Sequence, residues 1–208
     1  MKYIDYYFVC SSPFAYMGHK IFLDIAARHG ATIRYKPFDI YRVWENSGSV
    51  PGAKRTPARM RYRRIELQRI SNFRGVPLNA DPKFFPSNSE LADRCIIALA
   101  EAGADPSNFM FRTIEGMWWR EENIADRAQL AAYLAEAGHD AEKVLAEAGS
   151  EAVTAIRERN TDEAVGADSI GAPTYIYKGE SFWGQDRLEY LDHMLKTGRE
   201  AFSGLPQG

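Results

Sequence analysis

With 208 residues, 45% of them hydrophobic, the chain is long enough to bury one substantial core but short for two domains in series. Its formal charge of -2 excludes the strong positive excess that an electrostatic grip on nucleic acid needs, and leaves a small molecule as the expected partner. No stretch reaches the roughly 18 apolar residues of a membrane span, and the opening MKYIDYYFVC lacks the apolar run and cleavage site of a secretory signal; a cytoplasmic location is expected, with Cys10 and Cys95 reduced.

In chain order, Lys2 to Cys10 is rich in aromatic and β-branched side chains and predicts a strand. Ser11-Ser12-Pro13 offers hydroxyl caps and then a proline whose missing N–H costs nothing in a first helical turn, so a helix is predicted from Phe14 to His29, stopped by Gly30. Ala31 to Phe38 alternates as a second strand, closing a βαβ unit. Asn46 to Pro57 (NSGSVPGAKRTP) reads as a mobile loop, and loops of that length in compact proteins are usually functional or disordered. Helices are then predicted at Ala58 to Phe73, Asn88 to Ala102, Ser107 to Arg120, Arg127 to Ala137, Ala141 to Gly149 and Glu151 to Ala164, bracketed by capping Ser89 and Asp140 and stopped by Gly103, Gly138 and Gly149. Sheet signals return at Ala172 to Lys178, followed by a Gly179-Glu180 hairpin turn, a short strand Ser181 to Trp183 and a last helix from Gln185 to Leu195.

A βαβ unit, a long helical excursion and then ββα is the order of an α/β thioredoxin fold carrying a large all-helical insertion. On this reading residues 1–40 and 166–208 form the thioredoxin-like domain and 41–165 the inserted helical one.

Three stretches carry candidate chemistry. Ser12-Pro13-Phe14-Ala15 stands at a strand-to-helix junction, where unpaired N–H groups and the helix dipole favour an anion. Disulfide oxidoreductases place C-x-x-C there; with neither sulfur present, intramolecular disulfide exchange has no route, and Ser12 either caps the helix or donates to a thiolate brought by a ligand. In Gly171-Ala172-Pro173-Thr174, a proline at a strand start marks either an ordinary strand beginning or a cis bond. A cis bond would turn Ala172 outward with both its N–H and its C=O free for an extended ligand. In Trp183-Gly184-Gln185-Asp186-Arg187, the N–H groups of Gln185 and Asp186 suit a carboxylate and the Asp186 side chain an ammonium, unless Asp186 simply pairs with Arg187.

Together these stretches resemble the DsbA-related branch of the thioredoxin superfamily that holds the 2-hydroxychromene-2-carboxylate isomerases and the kappa-class glutathione transferases. YYFVCSSPFAYM resembles the family's opening strand and S-P-[FY]-x-[YW] helix start, and GAPTYIYKGESFWGQDRLEYL its G-x-P-T strand and W-G-x-D-R-L helix start. The resemblance implies glutathione as cofactor, with Ser12 stabilising its thiolate, Ala172 beside Pro173 pairing with the cysteinyl backbone, and Gln185 with Asp186 holding the γ-glutamyl end. It implies reversible thiolate addition to a conjugated double bond of an aromatic-derived keto acid, bond rotation and elimination, in a homodimeric isomerase. A kappa-like transferase and a non-catalytic glutathione- or peptide-binding protein are the alternatives. Where family members show Gly-Asn after the second strand, this chain has Gly48-Ser49, which leaves the contact expected of Ser49 open.

Lys54 and Arg61 belong to a run of seven cations, from Lys54 to Arg69, that reads either as a solvated helix face or as a lure for a carboxylate. Asn88 either caps a helix or, by the resemblance, borders the substrate cavity with Arg61 and Phe14. Cys10 reads as a small buried hydrophobe, or else as a partner for a mixed disulfide with glutathione. The four histidines show no ligand spacing, and no metal site is expected.

Overall fold

The computed structural model describes residues 1–204. Its four-stranded sheet has the order β2-β1-β3-β4, from β1 (Lys2–Phe8), β2 (Ala31–Pro37), β3 (Thr174–Tyr177) and β4 (Glu180–Trp183). β1 and β2 run parallel, with Lys2 opposite Ala31 and Phe8 opposite Pro37. β3 lies antiparallel on the other side of β1, Tyr6 opposite Tyr175, and β4 is antiparallel to β3. The parallel pair is joined by α1 (Pro13–Arg28), as a parallel connection requires. Between β2 and β3 come α2 (Ile40–Ser47), a 3-10 turn at Gly52–Lys54, α3 (Pro57–Arg74), α4 (Glu90–Glu101), α5 (Ser107–Trp118), α6 (Arg127–Glu136), α7 (Ala141–Glu147) and α8 (Glu151–Gly166). A 3-10 turn, Gln185–Arg187, leads into α9 (Leu188–Thr197).

β1 explains why the sheet is covered on both faces. Ile4, Tyr6 and Phe8 alternate into one face and join Phe22 and Ile25 of α1, Tyr175 of β3, and Leu191 and Met194 of α9 in a single buried cluster. That cluster continues without a break into Cys95, Phe109, Ile114, Trp118 and Leu130 of the inserted helices. Tyr7 and Val9 point the other way, against Val43 of α2, Ala164 of α8, and Phe38 and Ile176. A strand buried on both faces has few polar positions, which accounts for the near-continuous apolar run of YYFVC. Among the described residues, no helix is long and apolar enough to cross a membrane.

Two expectations from the sequence need correction. The stretch read as loop from Asn46 begins inside α2, a helix capped by the Asp39 carboxylate accepting from Tyr41 N–H and ended by Gly48 in the left-handed conformation. The β3–β4 hairpin turns on Lys178-Gly179 and not on Gly179-Glu180: Tyr177 pairs with Glu180, and both turn residues have positive φ, 51° and 84°. Two such residues make the turn whose twist matches a tight hairpin.

Candidate active site

The head of α1 is held by Ser12. Its Oγ accepts from Ala15 N–H at 3.2 Å and donates to the carbonyl of Ala172 at 3.3 Å, so one hydroxyl both caps the helix and reaches 160 residues along the chain. Only 7% of Ser12 is exposed. The Ala172–Pro173 peptide is cis. Gly184 N–H donates to the Pro173 carbonyl at 2.8 Å, which fastens the start of the Gln185–Arg187 turn to the same loop. The three stretches singled out from the sequence therefore meet at one junction.

Close packing makes the junction tight. A Cβ on Gly18 would lie 2.8 Å from Gln185 Cβ and 3.1 Å from the Tyr175 hydroxyl, and one on Gly171 would lie 2.9 Å from Trp183 Nε1. Real Cβ atoms essentially never approach other heavy atoms to less than 3.0 Å, so glycine at 18 and 171 is what lets α1, the turn and the proline loop touch. Gly184, at φ 102°, occupies a conformation that other residues rarely adopt.

Ala172 departs from the expectation in one respect: its carbonyl is not free, because it accepts from Ser12. Its N–H has no acceptor among the described residues. Gln185 is 97% buried and its side chain faces inward, its Oε1 accepting from Arg74 Nε at 2.5 Å while its carbonyl accepts from Arg74 at 3.0 Å. What Gln185 can offer a ligand is thus its main chain. Asp186 is exposed and accepts from the neighbouring Arg187 at 2.7 Å, the pairing that the sequence allowed as the plainer reading. Ser49 sits beside the proline loop, donating to the Ile170 carbonyl at 3.1 Å. Phe14 is half-buried in the first turn of α1 and packs on the core.

Three candidates lie further out. Lys54 is exposed on its 3-10 turn and Arg61 is exposed on α3. Within that run Arg55 lies over the Trp44 ring at 5.6 Å and Arg63 lies 5.5 Å from the Phe85 ring and 5.8 Å from that of Trp118, while Arg64 pairs with Asp81 and Arg69 with Glu66. Asn88 is exposed and its Oδ1 accepts from Glu90 N–H at 2.9 Å, a turn one residue ahead of the Ser89 cap position of α4. Its neighbour Ser89 is the one that turns inward, 3.4 Å from Ser11 Oγ and 3.2 Å from Asp93 Oδ2.

Behind the junction Asp93, almost fully buried on α4, accepts from Cys10 N–H at 2.8 Å. Burial raises its carboxyl to about 6, against the lowering pull of the Cys10 N–H, Arg157 and Ser89. The Cys10 thiol is pushed well above its ordinary range by burial and by the adjacent Asp93, and burial raises Cys95 to about 12. Both are free thiols in the core, which favours the buried-hydrophobe reading of Cys10 over a reactive one. Sequence reasoning missed Arg74, Ser89 as an inward group and Asp93; no spacing rule links them to Ser12, since all three arrive through tertiary packing. Of two surface hollows, one of about 510 Å³ lies between β4 and α9 and is lined in part by Trp183 and Arg187 of the third stretch, and one of about 810 Å³ lies away from the junction beside β2 and α4.

Residues 3–196 match the model of the DsbA-like thioredoxin domain. The chain belongs to that family. Within it, the chain is 30% identical to a 2-hydroxychromene-2-carboxylate isomerase of Pseudomonas putida over 92% of its own length and 93% of the relative's. It is 28% identical to a kappa-class glutathione S-transferase of Caenorhabditis elegans, over 93% and 90% of the two chains. Among solved structures it superposes on a 2-hydroxychromene-2-carboxylate isomerase with a TM-score of 0.79 at 26% identity, covering 94% of this chain and 95% of that one. The chain is thus similar along nearly its whole length both to proteins named as these isomerases and to one named as a kappa-class transferase.

Proposed function

We propose that the chain is a glutathione-dependent cis–trans isomerase of the 2-hydroxychromene-2-carboxylate type, acting on an unsaturated keto acid or its cyclic hemiketal. The observation that carries this reading is the junction itself: a serine hydroxyl at a helix head, hydrogen-bonded to the residue before a cis-proline, with the Gly184 turn fastened to the same loop.

The residues present fit a γ-glutamyl tripeptide. Ala172 N–H lacks an internal acceptor and suits a peptide carbonyl. The main-chain N–H groups that open the Gln185–Arg187 turn suit a carboxylate, and Asp186 would take an ammonium by exchanging its exposed Arg187 partner. Ser12 Oγ–H rotates, so it can leave the Ala172 carbonyl and donate to an anionic sulfur while still capping Ala15. When bound, glutathione supplies the thiolate nucleophile that a chain with no reactive cysteine lacks. The protein's share is to hold that sulfur ionised through Ser12 and the dipole of α1, to orient it, and to keep Ser12 largely out of water. Ser49 and Phe14 border the same junction, and Lys54, Arg61 and Asn88 are assigned to the outer rim, where they would attract or orient a carboxylate substrate.

Calorimetric titration with glutathione tests the binding step, and turnover of a hydroxychromene carboxylate with catalytic glutathione tests the reaction. No binding at millimolar glutathione would overturn the proposal. The likeness to a kappa-class transferase supports a second reading, conjugation, in which glutathione is consumed in proportion to an electrophile instead of being returned.

A further inference from the structure

Behind Ser12 three side chains form a line from the core to the site: Asp93 Oδ2, Ser89 Oγ at 3.2 Å, and Ser11 Oγ at 3.4 Å from Ser89. Asp93 and Ser89 are buried, and Ser11, adjacent to Ser12, is half-exposed. A serine hydroxyl has one proton, so Ser89 can donate to only one of its two neighbours at a time. With Asp93 ionised, the carboxylate must receive: Ser89 donates inward to Oδ2 and Ser11 donates inward to Ser89, leaving only lone pairs of Ser11 facing the site. With Asp93 protonated, the acid donates to Ser89, Ser89 donates to Ser11, and the Ser11 O–H, its proton retained, is left free to donate toward the site.

We propose that Asp93 is a positioning residue which, through Ser89, sets whether Ser11 presents a hydrogen-bond donor or an acceptor beside Ser12. One proton at the buried end reverses two hydroxyls. Resting on the reading of the junction as a thiolate site, the consequence is that a bound sulfur anion meets two serine donors, Ser12 and Ser11, when Asp93 is protonated, and one when it is not.

The switch lies in a usable range. Burial lifts the Asp93 carboxyl to about 6, so it changes state near neutral pH. The groups facing it are Cys10 from the β1–α1 connection, Cys95 from its own helix and Arg157 from α8. Both thiols are raised by burial and stay neutral through this range, which leaves the Asp93 carboxyl as the group whose charge changes near pH 6.

The test has two arms. In the protein without glutathione, carbon-13 NMR should show the Asp93 carboxyl and the Ser11 Cβ shifting with one common midpoint. In Ser89→Ala the carboxyl should still titrate while Ser11 Cβ no longer follows it. If Ser11 follows Asp93 unchanged in Ser89→Ala, the relay is wrong, whatever glutathione does. In the second arm, wild-type affinity for glutathione should be about tenfold higher below the Asp93 midpoint than above it, the worth of about one charge-assisted hydrogen bond. Asp93→Asn, whose amide donates to Ser89 permanently, should remove that inflection and hold the tighter affinity at all pH values. Persistence of the inflection in Asp93→Asn refutes the proposal. Absence of glutathione binding at any pH sinks the functional reading, and leaves the relay to be judged by the first arm.

Discussion

Replacing Ser12 by alanine removes one oxygen and two hydrogen bonds, and their sizes can be worked separately. Loss of a serine N-cap costs typically about 1 kcal/mol. The second bond, to the buried Ala172 carbonyl, contributes about 1 kcal/mol net, and more if that carbonyl is left without a partner. Ser12→Ala should therefore destabilise the fold by about 2 kcal/mol, read as a lowered urea midpoint at unchanged slope. Ser12→Gly separates the two contributions: glycine caps almost as well as serine, so its cost should fall to about 1 kcal/mol, the Ala172 bond alone. The reasoning fails if Ser12→Ala stays within about 0.5 kcal/mol of wild type, because a surface hydroxyl with no structural work behaves that way. Any loss of activity in Ser12→Ala should be measured where the variant is fully folded, so that the missing thiolate donor is not confused with the missing cap.

Gly18→Ala pushes a methyl to 2.8 Å from Gln185 Cβ, and it should cost about 1–3 kcal/mol in thermal or urea unfolding; a neutral result would mean the turn retreats freely. Native protein should react slowly with a thiol reagent, because Cys10 and Cys95 are buried and their thiols are raised, and both should be released together on unfolding; rapid labelling of one thiol in the native state would contradict this. His19 is buried, its Nε2 pairs with the Ser107 carbonyl at 3.2 Å, and burial lowers it to about 4. Since its folded pKa lies below the ordinary 6.5, the neutral ring contributes stability above pH 6.5 that is lost as pH falls toward 4, up to about 3 kcal/mol. Asp93 works with the opposite sign: its raised carboxyl gives stability below about 4 that is lost as pH climbs through about 6. His19→Gln should remove the acid-side loss and expose the Asp93 slope, seen as urea midpoints that fall as pH rises from 4 to 6; midpoints that still fall toward acid would refute the assignment.

What could be read from the sequence was local. Ser-Ser-Pro before an apolar periodic run announces a helix head, Gly-Ala-Pro-Thr before YIY announces a strand begun by proline, and both elements stand where expected to within a residue or two. α2 was missed because only Ile40 and Val43 are buried in its eight residues, too few to make a periodic signal beside so polar a stretch. The hairpin slipped by one because Lys178 takes a positive φ that sequence rules reserve for glycine, asparagine or aspartate. In the site, the residues legible from sequence are those that use backbone chemistry: Ser12 as a cap, Pro173 as a cis residue, Gly184 as a turn. Those not legible, Arg74 under Gln185 and Asp93 under Cys10, act through side chains reaching across the core, and nothing in their own neighbourhood of sequence records the partner.

The Ser12–Ala172 contact spans most of the chain, and so neither end makes the junction alone. A fragment that stops before residue 172 keeps the serine that caps the first helix but lacks the loop carbonyl to which its hydroxyl donates. If the junction seats a tripeptide as proposed, ligand capture becomes a readout of whole-chain integrity, lost in any cut or early stop that removes the proline loop.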